Sequence, residues 1–126
     1  MVREITSNVI VSVETTFLEK SSSSKQFLFS YAITIQNKNN CSIQLLSRHW
    51  KIQDSLAETR YVNGQGVIGE QPIILPGETY RYESYCDLKS NIGFMEGSYI
   101  FAKEDNQELI EVRIPRFELS LPTVLN

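Results

Sequence analysis

The chain has 126 residues, with 12 basic and 15 acidic side chains and a formal net charge of −3. Hydrophobic residues make up 41% and charged residues 21%, a globular composition that excludes a mostly disordered chain and supports one domain, residues 1–126, without metal or disulfide staples. The acidic balance excludes a general nucleic-acid binder, and no apolar run approaches the ~20 residues of a membrane-spanning helix, so neither nucleic acid nor a membrane is an expected partner.

Residues 1–8 lack the apolar stretch and cleavage site of a signal peptide, so the expected compartment is the cytoplasm. From Val9 to Phe17, apolar residues alternate with partners of the other parity, which predicts a strand. Leu18 to Lys25, with Ser21 to Ser24, is polar and reads as a mobile hairpin loop. Phe27, Phe29, Tyr31, Ile33 and Ile35 give the cleanest period-two strand. Asn37 to Asn40 is a turn, because Asn tolerates left-handed backbone.

In Ile43 to Asp54, Ile43 and Leu45 share one parity, whereas Leu46, Trp50 and Ile52 share the other. The flip at Leu45–Leu46 predicts a β-bulge or two apolar faces. Thr59 to Asn63 reads as a short strand, Pro76-Gly77 as a turn, and Tyr80 to Glu83 as another strand. Asp87 to Phe94 holds one helical turn at most. Tyr99 to Phe101 and Leu109 to Ile114 form a hairpin around residues 103–107, and Phe117, Leu119 and Leu121 continue the alternation. Pro115 and Pro122 suit a strand end or an edge, because proline cannot donate to a ladder. The predicted class is all-β: an immunoglobulin- or fibronectin type III-like β-sandwich of seven to nine antiparallel strands.

Residues 1–63 carry seven basic and five acidic groups, and residues 64–126 carry five and ten. Two halves of one sandwich interleave, so this asymmetry defines no patch. Cys41 and Cys86 flank Trp50 in the order seen in antibody domains. Cys41 lies in a polar turn, however, and residue 84 is Ser rather than the Tyr of a tyrosine corner, so two free thiols are expected.

The segment Gly64-Gln65-Gly66-Val67-Ile68-Gly69 is a GxGxxG. As a dinucleotide fingerprint it would have to open a helix, but Pro72 and Pro76 follow, and no Walker A Lys is present. Two readings remain. Three glycines permit positive φ in a tight crossover loop between the sheets. Alternatively, the backbone amides of Gly64, Gly66, Val67 and Gly69 form an anion-binding nest, with Arg48, Arg60 or Arg81 adding charge.

The single histidine, His49, excludes a multi-histidine metal site, and no cofactor is predicted. Ser47 lies two residues away on the same strand face, but nothing marks a nucleophile elbow. No catalytic constellation is found, so the expectation is a non-enzyme. Arg48, His49 and Trp50 are the candidate interaction surface. The expected partner is a protein, with a phosphorylated small molecule as the alternative, and the expected state is a monomer or weak homodimer.

Four segments taken in order resemble the ApaG family. These are Leu45-Leu46-Ser47-Arg48-His49-Trp50-Lys51-Ile52 with Asp54; Gly64, Gly66-Val67-Ile68-Gly69 and Gln71-Pro72 followed by Pro76-Gly77-Glu78; Met95, Gly97 and Tyr99; and Ile114-Pro115, Phe117 and Leu119. The resemblance runs from about Val9 to the C-terminus and implies a fibronectin type III-like sandwich. It also implies an indirect link to Co2+/Mg2+ tolerance and to dinucleoside polyphosphate metabolism, through the family's efflux label and its gene neighbourhood. The domain's reuse in F-box proteins and in a polymerase-delta-interacting protein implies a protein-interaction module. The resemblance supplies no catalytic residues, and the family's Gly-rich motif maps onto Gly64, Gly66 and Gly69. Two positions depart from the pattern: Asn63 replaces a common basic residue, and Tyr85 a common small one.

Overall fold

The computed structural model describes residues 1–122. It contains nine strands: β1 (Val2–Thr6), β2 (Val9–Phe17), β3 (Phe27–Asn37), β4 (Ile43–Asp54), β5 (Arg60–Gln65), β6 (Ile73–Ile74), β7 (Thr79–Leu88), β8 (Ile92–Lys103) and β9 (Leu109–Ser120). A three-residue 3-10 turn, Glu19–Ser21, is the only helical element among the described residues. Among the described residues, no helix is long and apolar enough to cross a membrane.

The strands form two antiparallel sheets. The first has the order β1-β2-β3-β7; the second has the order β5-β4-β8-β9, with β6 also pairing with β4. Period-two alternation puts Val9, Val11, Val13, Phe29, Tyr31, Ile33 and Ile35 on the inner face of the first sheet. Ile43, Leu45, Trp50, Ile52, Tyr99, Phe101, Val112, Ile114 and Phe117 face them from the second. Each large side chain so buried contributes about 1.5–3 kcal/mol. Trp50 is only 4% exposed, wedged between Tyr31 (ring centroids 5.4 Å) and Phe117 (5.9 Å), both edge to face.

The parity flip in β4 is a β-bulge. Its pairing with β8 shifts between Leu45 and Ser47, so Leu46 is the extra residue. The β8–β9 ladder shifts as well, between Met95 and Gly97. Pro115 falls in that irregularity on edge strand β9, where its missing N–H leaves no ladder bond unmade. The loop between β2 and β3 is tied by Ser22, whose hydroxyl donates to the Leu18 carbonyl (2.7 Å) and accepts the Leu28 N–H (2.9 Å).

The structure adds a strand that the sequence reading did not name and corrects one expectation. Residues 2–6 form a strand, joined to β2 by the two-residue turn Ser7-Asn8, both at positive φ. Residues 87–94 hold no helical turn: β7 runs through Asp87 and Leu88, and β8 begins at Ile92. The glycine segment is not a crossover between sheets. It links β5 to β6, which pair with successive parts of the same strand, β4. The chain changes sheet after β6, through Pro76-Gly77, where Gly77 sits at φ +80°.

Candidate functional site

The glycine loop is built onto the β4 bulge. Leu46 presents its carbonyl outward, and that oxygen accepts the Gly66 N–H (2.8 Å) and the Gln71 side-chain amide (2.9 Å). Gly66 (φ +61°) is where the chain leaves β5, and a Cβ there would lie 2.0 Å from the Glu70 carbonyl oxygen. Val67 and Glu70 exchange both backbone hydrogen bonds (2.8 and 2.9 Å) around Ile68 (φ +41°) and Gly69 (φ +79°). Two successive positive φ values define a type I′ turn. The Gly66 and Val67 donors are therefore already engaged, by Leu46 of β4 and by Glu70. Among the described residues, Ile68 and Gly69 have no backbone acceptor for theirs.

The bulge also decides which side chains face inward. Beyond it, Arg48, Trp50 and Ile52 take the core side, while Ser47, His49 and Lys51 take the outer face. Arg48, His49 and Trp50 therefore do not share a surface. The outer pair makes a chain of contacts: Ser47 Oγ lies 3.0 Å from His49 Nε2, and His49 Nδ1 lies 2.9 Å from Asn63 Oδ1. This has the order of nucleophile, base and orienting group. It lies on a strand surface, however, where the neighbouring amides belong to the β4–β5 and β4–β8 ladders and cannot serve as oxyanion donors. What it does is fasten β5 to β4.

On the inner side, the two sheets part between edge strands β5 and β7. A cavity of about 240 Å³ there is lined by Tyr31, Arg48, Trp50, Arg60, Val62 and Ser84, among others. A smaller one of about 140 Å³ shares Tyr31, Arg48, Trp50 and Ser84 with it and reaches Val67, Ile68 and Tyr82. Together they form one cleft. One end is closed by Arg60, which reaches across to Asp87 Oδ1 (3.3 Å), the Asp87 carbonyl and Cys86 Sγ (3.8 Å). Near the other end, Tyr80 donates from its hydroxyl to Glu70 Oε2 (3.2 Å).

Arg48 is half-buried between these closures. Its Nη1 donates to the carbonyls of Gln65 (2.8 Å) and Gly66 (2.9 Å). The guanidinium lies so close over Gly64 that a Cβ there would meet it at 2.9 Å. Burial pushes the hydroxyls of Tyr31, Tyr82 and Tyr99 above the ordinary phenol value, and those of Tyr82 and Tyr99 bond to each other. All three stay protonated at neutral pH. Cys86 is pushed up to about 11, by burial first and only partly offset by Arg60, so it is a thiol rather than a thiolate. Both cysteines are free. Among the described residues, no group of three or more His, Cys, Asp or Glu side chains is placed to hold a metal ion.

The mouth of the cleft is apolar and exposed: Val62 is 39%, Ile68 58% and Tyr85 61% accessible. Sequence reasoning singled out Arg48 but missed Ser84 and Val62, which only the facing of β5 and β7 brings to it.

The domain model described as ApaG domain matches residues 18–103. The chain belongs to the ApaG family. The ApaG protein of Afipia carboxidovorans is 45% identical, over 98% of this chain and 96% of its own length. That of Thiobacillus denitrificans is 42% identical over 92% of each. An X-ray structure of a structural-genomics target superposes with a TM-score of 0.88 at 36% identity, covering 98% of this chain and 94% of its own. A Bordetella pertussis protein described as ApaA gives 0.87 at 37%, with 92% and 95% covered. The C-terminal domain of Wzt shares the fold alone, at a TM-score of 0.57 and 7% identity. In this ApaG-family chain the two departures noted from the sequence fall on either side of β5: Asn63 holds His49 on the outer face, and Tyr85 stands at the cleft mouth.

Proposed function

We propose that this ApaG-family chain is a non-enzymatic binding module, and that a protein partner engages the opening between β5 and β7. The observation that carries this is Ile68. A type I′ turn favours Asn-Gly, because both central residues need positive φ. Here the first is a β-branched residue at φ +41°, 58% exposed, a conformation that costs of order 1–2 kcal/mol. Burial in the free protein returns little of that cost. Contact with a partner accounts for it, and Val62 and Tyr85 extend the same apolar rim.

The flanking edges suit such a partner. Among the described residues β7 pairs only with β3, and β5 only with β4, so each presents backbone groups that an added strand would use. Any effect on tolerance to cobalt or magnesium, or on dinucleoside polyphosphate metabolism, would on this reading pass through the partner in the cytoplasm.

The test is affinity capture from the cytosol of the producing organism, comparing the unchanged protein with Ile68→Asp and Tyr85→Asp. Both substitutions lie on the surface, so thermal melts should stay within a few degrees of the parent. A discrete protein recovered by the parent and reduced at least about tenfold by both variants supports the reading. Equal recovery by all three, or no specific partner at micromolar protein, defeats it.

A further inference from the structure

We propose that the β5–β7 cleft is an oxyanion site in which the free edge of the Arg48 guanidinium, with the Ser84 hydroxyl, binds a carboxylate or phosphoryl group. Arg48 is a half-buried cation with no carboxylate within 4 Å among the described residues; the ion pairs there are Lys51–Glu96, Arg60–Asp87 and Arg113–Glu4. A charge withdrawn from water needs compensation. The two carbonyls it reaches supply part of that and carry no charge. The nearby tyrosines, held protonated by burial, cannot serve as counter-ions.

The geometry then assigns donors. Nη1 spends both of its hydrogens on Gln65 and Gly66. Three guanidinium hydrogens are left, on Nε and Nη2, and that edge is the fork that grips an oxyanion with two parallel bonds. Contacts within the loop hold the fork in place, so little side-chain entropy is lost on binding. Ser84 and Tyr31 line both parts of the cleft beside Arg48 and add hydroxyl donors. Arg60 is neutralised by Asp87 at one end, so among the described residues Arg48 is the unpaired cation of the cleft. Even taken together, cavities of about 240 and 140 Å³ reach only the bottom of the usual range for drug-sized ligands, roughly 300–1,000 Å³. The occupant is therefore a terminal oxyanion group rather than a whole dinucleotide. This places anion recognition at a side-chain fork behind the glycine loop instead of at the loop's own amides.

Trp50 lines both parts of the cleft and is the only tryptophan, so its indole reports occupancy. The experiment is a titration of the 15N-labelled protein with sodium phosphate and, separately, with sodium acetate, at ionic strength fixed with chloride. Saturable shifts at the Arg48 Nε–H and the Trp50 indole N–H, with half-saturation at roughly millimolar anion, are expected with at least one of the two. The arm that saturates says whether the occupant is phosphoryl or carboxylate. Arg48→Gln should weaken binding at least about tenfold. Because Arg48 also holds the loop, Ser84→Ala provides the second variant; it touches none of the loop's bonds and should cost about threefold. Linear, chloride-like shifts in both arms overturn the proposal, as does saturation that survives both substitutions. The site stands or falls apart from the partner reading, since the titration needs no partner and the capture experiment leaves Arg48 and Ser84 intact.

Discussion

Gly66→Ala tests the architecture of the loop and separates it from a merely flexible turn. The added Cβ would sit 2.0 Å from the Glu70 carbonyl oxygen and 2.8 Å from its carbon, both backbone atoms, at a φ of +61°. No side chain can move aside, so the Val67–Glu70 bridge must open. The left-handed backbone costs about 1 kcal/mol, and the two hydrogen bonds of the bridge are worth about 1 kcal/mol each. Val67, fully buried, loses part of the roughly 1.5–3 kcal/mol of its burial. The total is about 3–5 kcal/mol, which for a domain of this size lowers the melting temperature by on the order of 15 °C. Gly69→Ala is the control. Its φ is +79°, but nothing lies within 4 Å of the added carbon, so only the backbone term of about 1 kcal/mol remains. Calorimetric melts of the two variants should differ by about 10 °C. Equal shifts would refute the reasoning, since the clash at Gly66 would then carry no weight.

Ile68→Asn should leave the free protein as stable as the parent or up to about 1 kcal/mol more stable, because Asn tolerates positive φ, while partner capture is lost; chemical denaturation beside the capture assay checks both. Trp50→Ala removes a side chain packed on Tyr31 and Phe117 and should cost about 3–5 kcal/mol in urea unfolding. Asp54 gives a pH signature. Burial opposes its ionisation, yet the Lys89 and Leu56 amides and Ser90 outweigh burial and hold its pKa below the ordinary 3.8. That stability is fully present above pH 3.8 and is lost as pH falls through the lower folded value. Asp54→Asn should therefore flatten the fall in stability below about pH 4, as read by urea midpoints against pH. Cys86, with its thiol pushed up to about 11, should resist a thiol reagent at pH 7.5 until urea unfolds the chain.

Much of the fold was legible because strands with one buried face write it as alternation. Phe27 to Ile35 did so cleanly, and the flip at Leu45–Leu46 announced the bulge. β1 was not legible because it packs as an edge strand with no fully buried residue. Its signal was the turn pair Ser7-Asn8, which both take positive φ just before an apolar strand. Residues 87–94, where the sequence allowed one helical turn at most, are taken up by tertiary pairing: Asp87 and Leu88 pair with Leu28 and Phe27, and Ile92 to Phe94 pair with β9.

The site was half legible. Arg48 stood out as a charge within an apolar strand, but grouping it with His49 ignored that neighbours in a strand face opposite ways. The cleft itself joins Arg48 and Val62 of one sheet to Ser84 and Tyr85 of the other. These residues are far apart in sequence, and no local pattern links them.

A photo-crosslinking amino acid placed at Tyr85, and in a second strain at Tyr61, gives the most direct test of where the partner binds. Tyr85 lines the cleft at its mouth, whereas Tyr61, 68% exposed on β5, does not line it. Irradiation in the producing cells should give a discrete protein adduct from position 85 and none from position 61. Adducts of equal yield from both positions, or from position 61 alone, would contradict the account.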